Sequence, residues 1–272
     1  MSSDNIQAGL HVSGLRKTFF PGTVQEKAAL NGVDFSLGAG EFGIIIGSNG
    51  AGKSTTLNAI SGELPLDEGC VVVAGQDMQR RPAHLRSRHM ARVFQDPMQG
   101  TAASLTIEEN LAIAARRGAS RGFRKGLKNV ERDWFRTALE VLGLGLENRL
   151  KDRVALLSGG QRQSLTLVMA TLNSPSLLLL DEHTAALDPR AAELVLNATL
   201  KAVEGQKITT LMITHNMEQA INHGDRLIMM HAGRVVLNLD HSEKAGLTAN
   251  DLVARFHDVV SDRMLLNRPW NF

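Results

Sequence analysis

The stretch Gly47-Ser48-Asn49-Gly50-Ala51-Gly52-Lys53-Ser54 constrains this chain more than any other. It follows the apolar run Phe42-Gly43-Ile44-Ile45-Ile46, which reads as a buried strand, and it opens a segment from Ser54 to Ser61 of helical composition. Glycines at 47, 50 and 52 let the backbone turn its amides inward into a concave anion site, and the helix behind adds the positive end of its dipole. Strand, glycine-rich loop and helix are the context of a P-loop. In that reading Lys53 reaches the β and γ phosphates of a nucleotide, Ser54 ligates Mg²⁺ and Thr55 bonds the α phosphate. A strand-to-helix turn that binds nothing is the plainer alternative, but here every fixed position of the pattern is met.

A phosphate cradle of this kind calls for a carboxylate at the end of a neighbouring strand, and Leu177-Leu178-Leu179-Leu180-Asp181-Glu182 supplies it. Asp181 is the metal-side acid. Glu182, one residue on, falls where a general base polarises a water in line with the γ phosphate. Apolar runs ending in Asp-Glu are common at strand ends, so the weight of this pair comes from the P-loop it accompanies.

The third motif is Leu157-Ser158-Gly159-Gly160-Gln161. Ser158 is a good N-cap for a helix from about Gly160 to Asn173, which Pro175 ends, and a capped helix start attracts anions. With the P-loop, Asp181-Glu182 and the later Ile213-Thr214-His215, the chain resembles the ATPase subunits of ATP-binding cassette (ABC) transporters. Motif order and spacing match from roughly Leu10 to Leu239. The resemblance implies an α/β fold, a P-loop NTPase with a mainly parallel sheet, an N-terminal antiparallel β region and an inserted α-helical subdomain. It implies ATP and Mg²⁺ as cofactors and a head-to-tail homodimer. In such a dimer Ser158, Gly159, Gly160 and Gln161 of one copy cover the ATP held by Gly47, Ser48, Asn49, Gly50, Ala51, Gly52, Lys53, Ser54 and Thr55 of the other.

Further positions carry over singly. Gln95, after Ala91-Arg92-Val93-Phe94, resembles the family's Q-loop glutamine, which senses Mg²⁺ and the attacking water and links the site to the membrane partner. Asp188, in Ala185-Ala186-Leu187-Asp188-Pro189, resembles the residue that contacts the opposite subunit; read alone it is a helix N-cap before Pro189, and the two roles are compatible. His215 resembles the histidine that bonds the γ phosphate and orients Glu182. The implied catalytic set is Glu182, His215 and Gln95, and the implied metal set is Ser54, Gln95 and Asp181. For the adenine the family places an aromatic ring, often tyrosine, ahead of its second strand, and this chain contains no tyrosine. Phe19 is the best match, with Phe20 or plain core packing of the ring as the alternatives, because Pro21 to Lys27 looks inserted and blurs the register.

Alternating or apolar strand patterns occur at Leu10 to Leu15, Gly32 to Leu37 and Phe42 to Ile46, and a helical signal runs from Thr106 to about Asn148. After Gly160 helix and strand alternate again, the mark of a mainly parallel sheet. Arg226 to Met230 and Val235 to Leu239 predict a closing hairpin through Ala232-Gly233. The expected division is an ATP-binding core over 8–98 and 160–242, a helical subdomain over 99–159 and a C-terminal tail over 243–272. Thr248 is a candidate cap for an amphipathic helix in that tail, with Leu252 and Phe256 on its apolar stripe. The run Arg116 to Lys128 is dense in arginine, lysine and glycine, and two readings stand: contact with anionic headgroups or a membrane subunit, or a solvated loop.

Composition narrows the partners. A formal charge of +2 over 272 residues predicts no direct nucleic-acid binding. The single cysteine, Cys70, excludes an intrachain disulfide and fits a reducing compartment. Neither a leader-like N-terminus nor a run of about eighteen apolar residues occurs, so the expected location is cytoplasmic, peripheral on the inner face of the cell membrane, with the spans on other chains. The resemblance then implies two copies working with integral membrane subunits and an extracytoplasmic solute-binding protein. Uptake is expected because fused cassettes are commoner among the family's exporters. Asp181-Glu182-His183-Thr184 and Thr106-Ile107-Glu108-Glu109-Asn110-Leu111 resemble a bacterial subgroup of binding-protein-dependent uptake systems whose cargo includes amino acids, aromatic ones among them. Two rivals are a soluble ABC ATPase of nucleic-acid repair or translation and a regulatory binder that does not hydrolyse. The first lacks its usual coiled coils or second cassette here; the second sits poorly with intact Glu182 and His215.

Overall fold

The structure is a computed structural model and describes residues 8–118 and 129–266. Strands β1 (Ala8–Phe19) and β2 (Lys27–Gly38) pair antiparallel, so the stretch that looks inserted is the loop of their hairpin. Both run well past the short segments expected from the sequence. Along β2 the inward positions Val33, Phe35 and Leu37 are buried and their neighbours are not, the period of a sheet with one wet face.

Strand β3 (Phe42–Gly47) leads into the glycine-rich loop and helix α1 (Lys53–Ser61). Next come β4 (Glu68–Val73), β5 (Gln76–Asp77), the short α2 (Ala83–Arg86) and β6 (Met90–Val93). The helical stretch is α3 (Ile107–Ala115), α4 (Asn129–Glu140) and a 3₁₀ turn at Leu146–Asn148. Most of the basic run from Arg116 to Lys128 lies outside the described residues. Helix α5 (Gly159–Thr171) stops before the expected Asn173, because Ser174 turns into the left-handed region (φ 43°) ahead of Pro175. The remainder is β7 (Leu177–Asp181), α6 (Pro189–Gln206), β8 (Thr209–Ile213), α7 (Met217–Asn222), the hairpin β9 (Arg226–His231) and β10 (Arg234–Leu239), α8 (His241–Lys244) and α9 (Ala249–Leu266).

Two sheets result. One is antiparallel, in the order β2-β1-β4-β5; the other has six strands, β10-β9-β3-β8-β7-β6, parallel except for the edge pair β9-β10. Strands β7 and β8 are buried at every position, which is why they read as unbroken apolar runs rather than alternating ones. Alternate residues still serve different layers. Ile45, Leu179, Leu211 and Ile213 pack with α1 and the antiparallel sheet, whereas Ile44, Ile46, Leu178, Leu180 and Met212 pack on the opposite face with residues of α5, α6 and α9. A third cluster, with Ile107, Leu111, Phe135, Leu139, Val154 and Leu165, holds α3 and α4 against α5. In the tail, Thr248 accepts from the Asp251 amide as expected, and Leu252 and Phe256 dock on the core.

Parallel strands place their C-terminal ends on one edge, where an open α/β sheet offers a crevice. Here that edge carries the loop after β3, Asp181 and Glu182 at β7, His215 after β8 and Gln95 after β6.

Candidate nucleotide site

The loop after β3 is held by backbone that tolerates no side chain. Gly47 has φ 151°, and a Cβ there would meet the Met230 carbonyl oxygen at 2.3 Å; at Gly52, φ 102°, it would meet the Ala29 carbonyl oxygen at 2.7 Å. The glycines therefore let β3 turn closely over β9 and β2 and leave a concave rim. Lys53, buried at the start of α1, donates to the carbonyls of Gly47 (2.8 Å) and Ser48 (3.2 Å). Burial pushes its ammonium below the ordinary lysine value, and the charges of Glu182 and Asp181 pull it back up. A cavity of about 210 Å³ opens here, lined by Phe19, Asn49 to Thr55 and Glu182, together with Lys27 and Ala29.

Glu182 follows a fully buried strand yet adopts φ 45°, its amide donating to the Ile213 carbonyl at 3.1 Å. Such left-handed backbone at a non-glycine residue persists only where the surroundings hold it, and it concentrates at functional sites. The consequence is a carboxylate turned out of the core towards β8, where Oε1 lies 2.6 Å from Nε2 of His215; Glu182 is nearly buried and His215 is 47% exposed. Asp181 points to the other side. Its Oδ2 accepts from Nη2 of Arg92 at 2.6 Å, and it lines a second cavity of about 540 Å³ with Arg92, Phe94, Gln95 and Glu63.

The structure thus gathers Phe19, Asn49 to Thr55 and Glu182 around one cavity and Asp181 with Gln95 around another, while Gly47, Ser48 and His215 line neither. Phe20, 61% exposed, lines neither. Ser158, Gly159, Gly160 and Gln161 do not line the loop's cavity. They start α5 in a reciprocal cap: the Ser158 hydroxyl accepts from the Gln161 amide, and the Gln161 side chain accepts from the Ser158 amide. Gly160 passes so close to α6 that a Cβ would stand 2.9 Å from that of Ala191. Asp188 caps α6 by accepting from the Ala191 amide at 3.1 Å, with Pro189 in the first turn.

Residues 30–185 match the family model described as ABC transporter. The chain belongs to the ABC transporter family. A tyrosine transport ATP-binding protein of Clostridioides difficile (strain R20291) is 42% identical over 92% of this chain and the whole of that protein. A lipoprotein-releasing system ATP-binding protein of Ruegeria sp. (strain TM1040) is 36% identical over 84% of this chain and 97% of its own length. Among solved structures, an ATP-binding cassette in a dimeric post-hydrolysis state bound to ADP and Pi superposes with a TM-score of 0.72 at 27% identity, covering 85% of this chain and 98% of that one.

As an ABC cassette the chain is an ATPase that works in transport. Its residues fit both expected ligands. The rim left by Gly47 and Gly52, with Lys53 bridging the loop, suits a polyphosphate, and the donors Ser54, Asp181 and Gln95 are all oxygen, the kind a hard cation such as Mg²⁺ takes. Among the described residues no helix is long and apolar enough to cross a membrane. Two features escaped the sequence reading. Lys27 reaches the cavity because it pairs with Phe19 in the β1-β2 register, which the inserted loop concealed. Arg92 was legible only as a lone cation in an apolar edge strand, and its partner Asp181 lies 89 residues away.

Proposed function

We propose that this chain binds Mg·ATP on the 47–55 loop and hydrolyses it with Glu182 as general base, as a homodimer driving uptake of a solute through separate membrane subunits. The observation that carries the reading is the Glu182–His215 contact of 2.6 Å at the edge of the cavity that Lys53 and Ser54 also line. Lys53 and the loop amides bind and orient the phosphates, and Phe19 stacks on the base. Ser54, Asp181 and Gln95 would hold Mg²⁺, which when bound offsets phosphate charge. Glu182 takes the proton of the attacking water at its carboxylate, and His215 Nε2, donating to Oε1, fixes that carboxylate's direction. The rigid αL turn at Glu182 lets it do so without rearranging β7.

Dimerisation completes the site. The capped start of α5 offers Ser158 and Gly160 to the ATP on the partner's loop, and the exposed Asp188 follows Leu187, whose side chain lies beside Gly159. The core spans 8–98 and 160–242, with the helical unit at 99–159 and the tail at 243–272. The chain sits at the inner face of the membrane with integral membrane subunits and an extracytoplasmic solute-binding protein. An aromatic amino acid is the favoured cargo, supported by the 42% identity to a tyrosine transport protein over nearly the whole chain. Glu182→Gln tests the chemistry: it should bind ATP like the parent while its turnover drops by at least about a hundredfold. Parent-like turnover would remove Glu182 from the role of base.

A further inference from the structure

Arg92 sits in β6, opposite Leu179 of β7, and its side chain is only 10% exposed. One guanidinium joins two acids. Nη2 donates to Asp181 at 2.6 Å, while Nη1 donates to Glu63 at 2.7 Å and to the Asn58 side chain at 2.7 Å. The group lies 4.8 Å from the centre of the Phe94 ring, which shields it from water, and Nε is buried without a partner. An arginine keeps its charge in such a place, and a partly desolvated pair interacts several times more strongly than one in water. Of the neighbouring acids Asp181 and Glu182, one is therefore already neutralised by a side chain of the protein.

We propose that Arg92 is a resident counter-ion that weakens the pull of Asp181 on divalent cations, so that the site takes up its metal only together with the nucleotide's phosphates. The inference rests on the reading of Asp181 as the metal-side acid. Arg92 and the metal draw on the same carboxylate, and Glu63 regulates the competition because it shares the guanidinium charge. Arg92 is a positioning residue here: it acts on the metal through Asp181.

The test is a titration of Mn²⁺, an oxygen-seeking stand-in for Mg²⁺, into the full chain alone and with equimolar ADP, counting free ion by electron paramagnetic resonance against an ADP-only control; the parent should take up Mn²⁺ only with ADP, and equal uptake without it would overturn the proposal. Asp181→Asn should weaken Mn²⁺ binding. If it does not, Asp181 is not the metal-side acid and the site reading falls with the proposal. Arg92→Met should tighten Mn²⁺ binding by about tenfold. Arg92→Lys, which keeps the charge and loses the fork, should stay near the parent; a role confined to packing would instead lower the melting temperature of both variants and leave Mn²⁺ affinity unmoved. Should Arg92→Met not fold, Glu63→Gln carries the test on the exposed rim: the guanidinium charge then bears wholly on Asp181, and Mn²⁺ binding weakens by about threefold or more. An unchanged or weaker affinity in Arg92→Met, or an unchanged one in Glu63→Gln, while Asp181→Asn still weakens binding, would overturn the counter-ion and leave the site reading in place.

Discussion

Lys53 and His183 show how burial sets the chemistry of single side chains. The Lys53 ammonium is held on two loop carbonyls at the cavity that Ser54 and Glu182 also line. Charge-assisted bonds to phosphate are what this position can add, so Lys53→Ala should weaken ATP binding by about a hundredfold, read by calorimetry. Binding within threefold of the parent would remove the loop from the site. His183, next to Glu182, faces the opposite way, fully buried with Nε2 3.1 Å from the Thr199 hydroxyl. Burial pushes its pKa down to about 4, whereas in the unfolded chain it takes the ordinary value near 6.5. The unfolded chain thus binds a proton that the folded chain refuses. This stability term is fully present above about pH 6.5 and is lost as the pH falls towards 4. In EDTA without nucleotide, taking the parent from pH 7.5 to 5.5 should cost about 1.4 kcal/mol more than it costs His183→Asn, measured by urea unfolding. Equal losses in the two proteins would mean that His183 is not held neutral.

Among the elements, several helix ends are closed by side chains from distant segments. Lys244, buried at the end of α8, donates to the carbonyls of Ile221 (2.9 Å), His223 (2.6 Å) and Ala220 (3.4 Å) and so closes the C-terminus of α7. Arg86 does the same for α1 through Ala59 and Ile60, and Arg117 for α5 through Met169 and Ala170. Lys244→Met keeps the apolar stem and removes the donor, leaving buried carbonyls unmet; it should lose about 2 kcal/mol of stability in denaturant unfolding with ATP affinity unchanged. A stability equal to the parent's would show that water replaces the ammonium there. These long-range caps mark the limit of what the chain reveals unfolded. Elements with local signals were legible: the apolar strand and glycines before Lys53, Ser158 before Gln161, Thr248 before Asp251. The β1-β2 loop, the early stop of α5 at Thr171 and the Arg92–Asp181 pair were not, since each is decided by contacts between residues far apart in sequence. Phe19 could be singled out by type, but its place at the cavity depends on the strand register.

At the scale of the whole molecule, the described edge of the six-stranded sheet brings together the glycine-rich loop, Asp181, Glu182 and His215, while the capped start of α5 lies outside the cavity at that loop. On the proposed reading, the capped start of α5, which has no role in its own chain's cavity, is met by a second copy; the solved relative at 27% identity is a dimer bound to ADP and Pi. In a head-to-tail pair each ATP touches the loop of one copy and α5 of the other. Two different single lesions then complement each other. Lys53→Ala disables the loop and Ser158→Glu places a carboxylate where phosphate should approach, so each protein alone is inactive. A mixed dimer carries both lesions in one site and none in the other. The most direct measurement is therefore ATP turnover of the two inactive proteins mixed in equal amounts, at concentrations where the parent is dimeric. A shared site predicts recovery of about a quarter of the parental rate, because half of the dimers are mixed and each has one intact site of two. No recovery at any mixing ratio, with both proteins folded and dimerising, would contradict it.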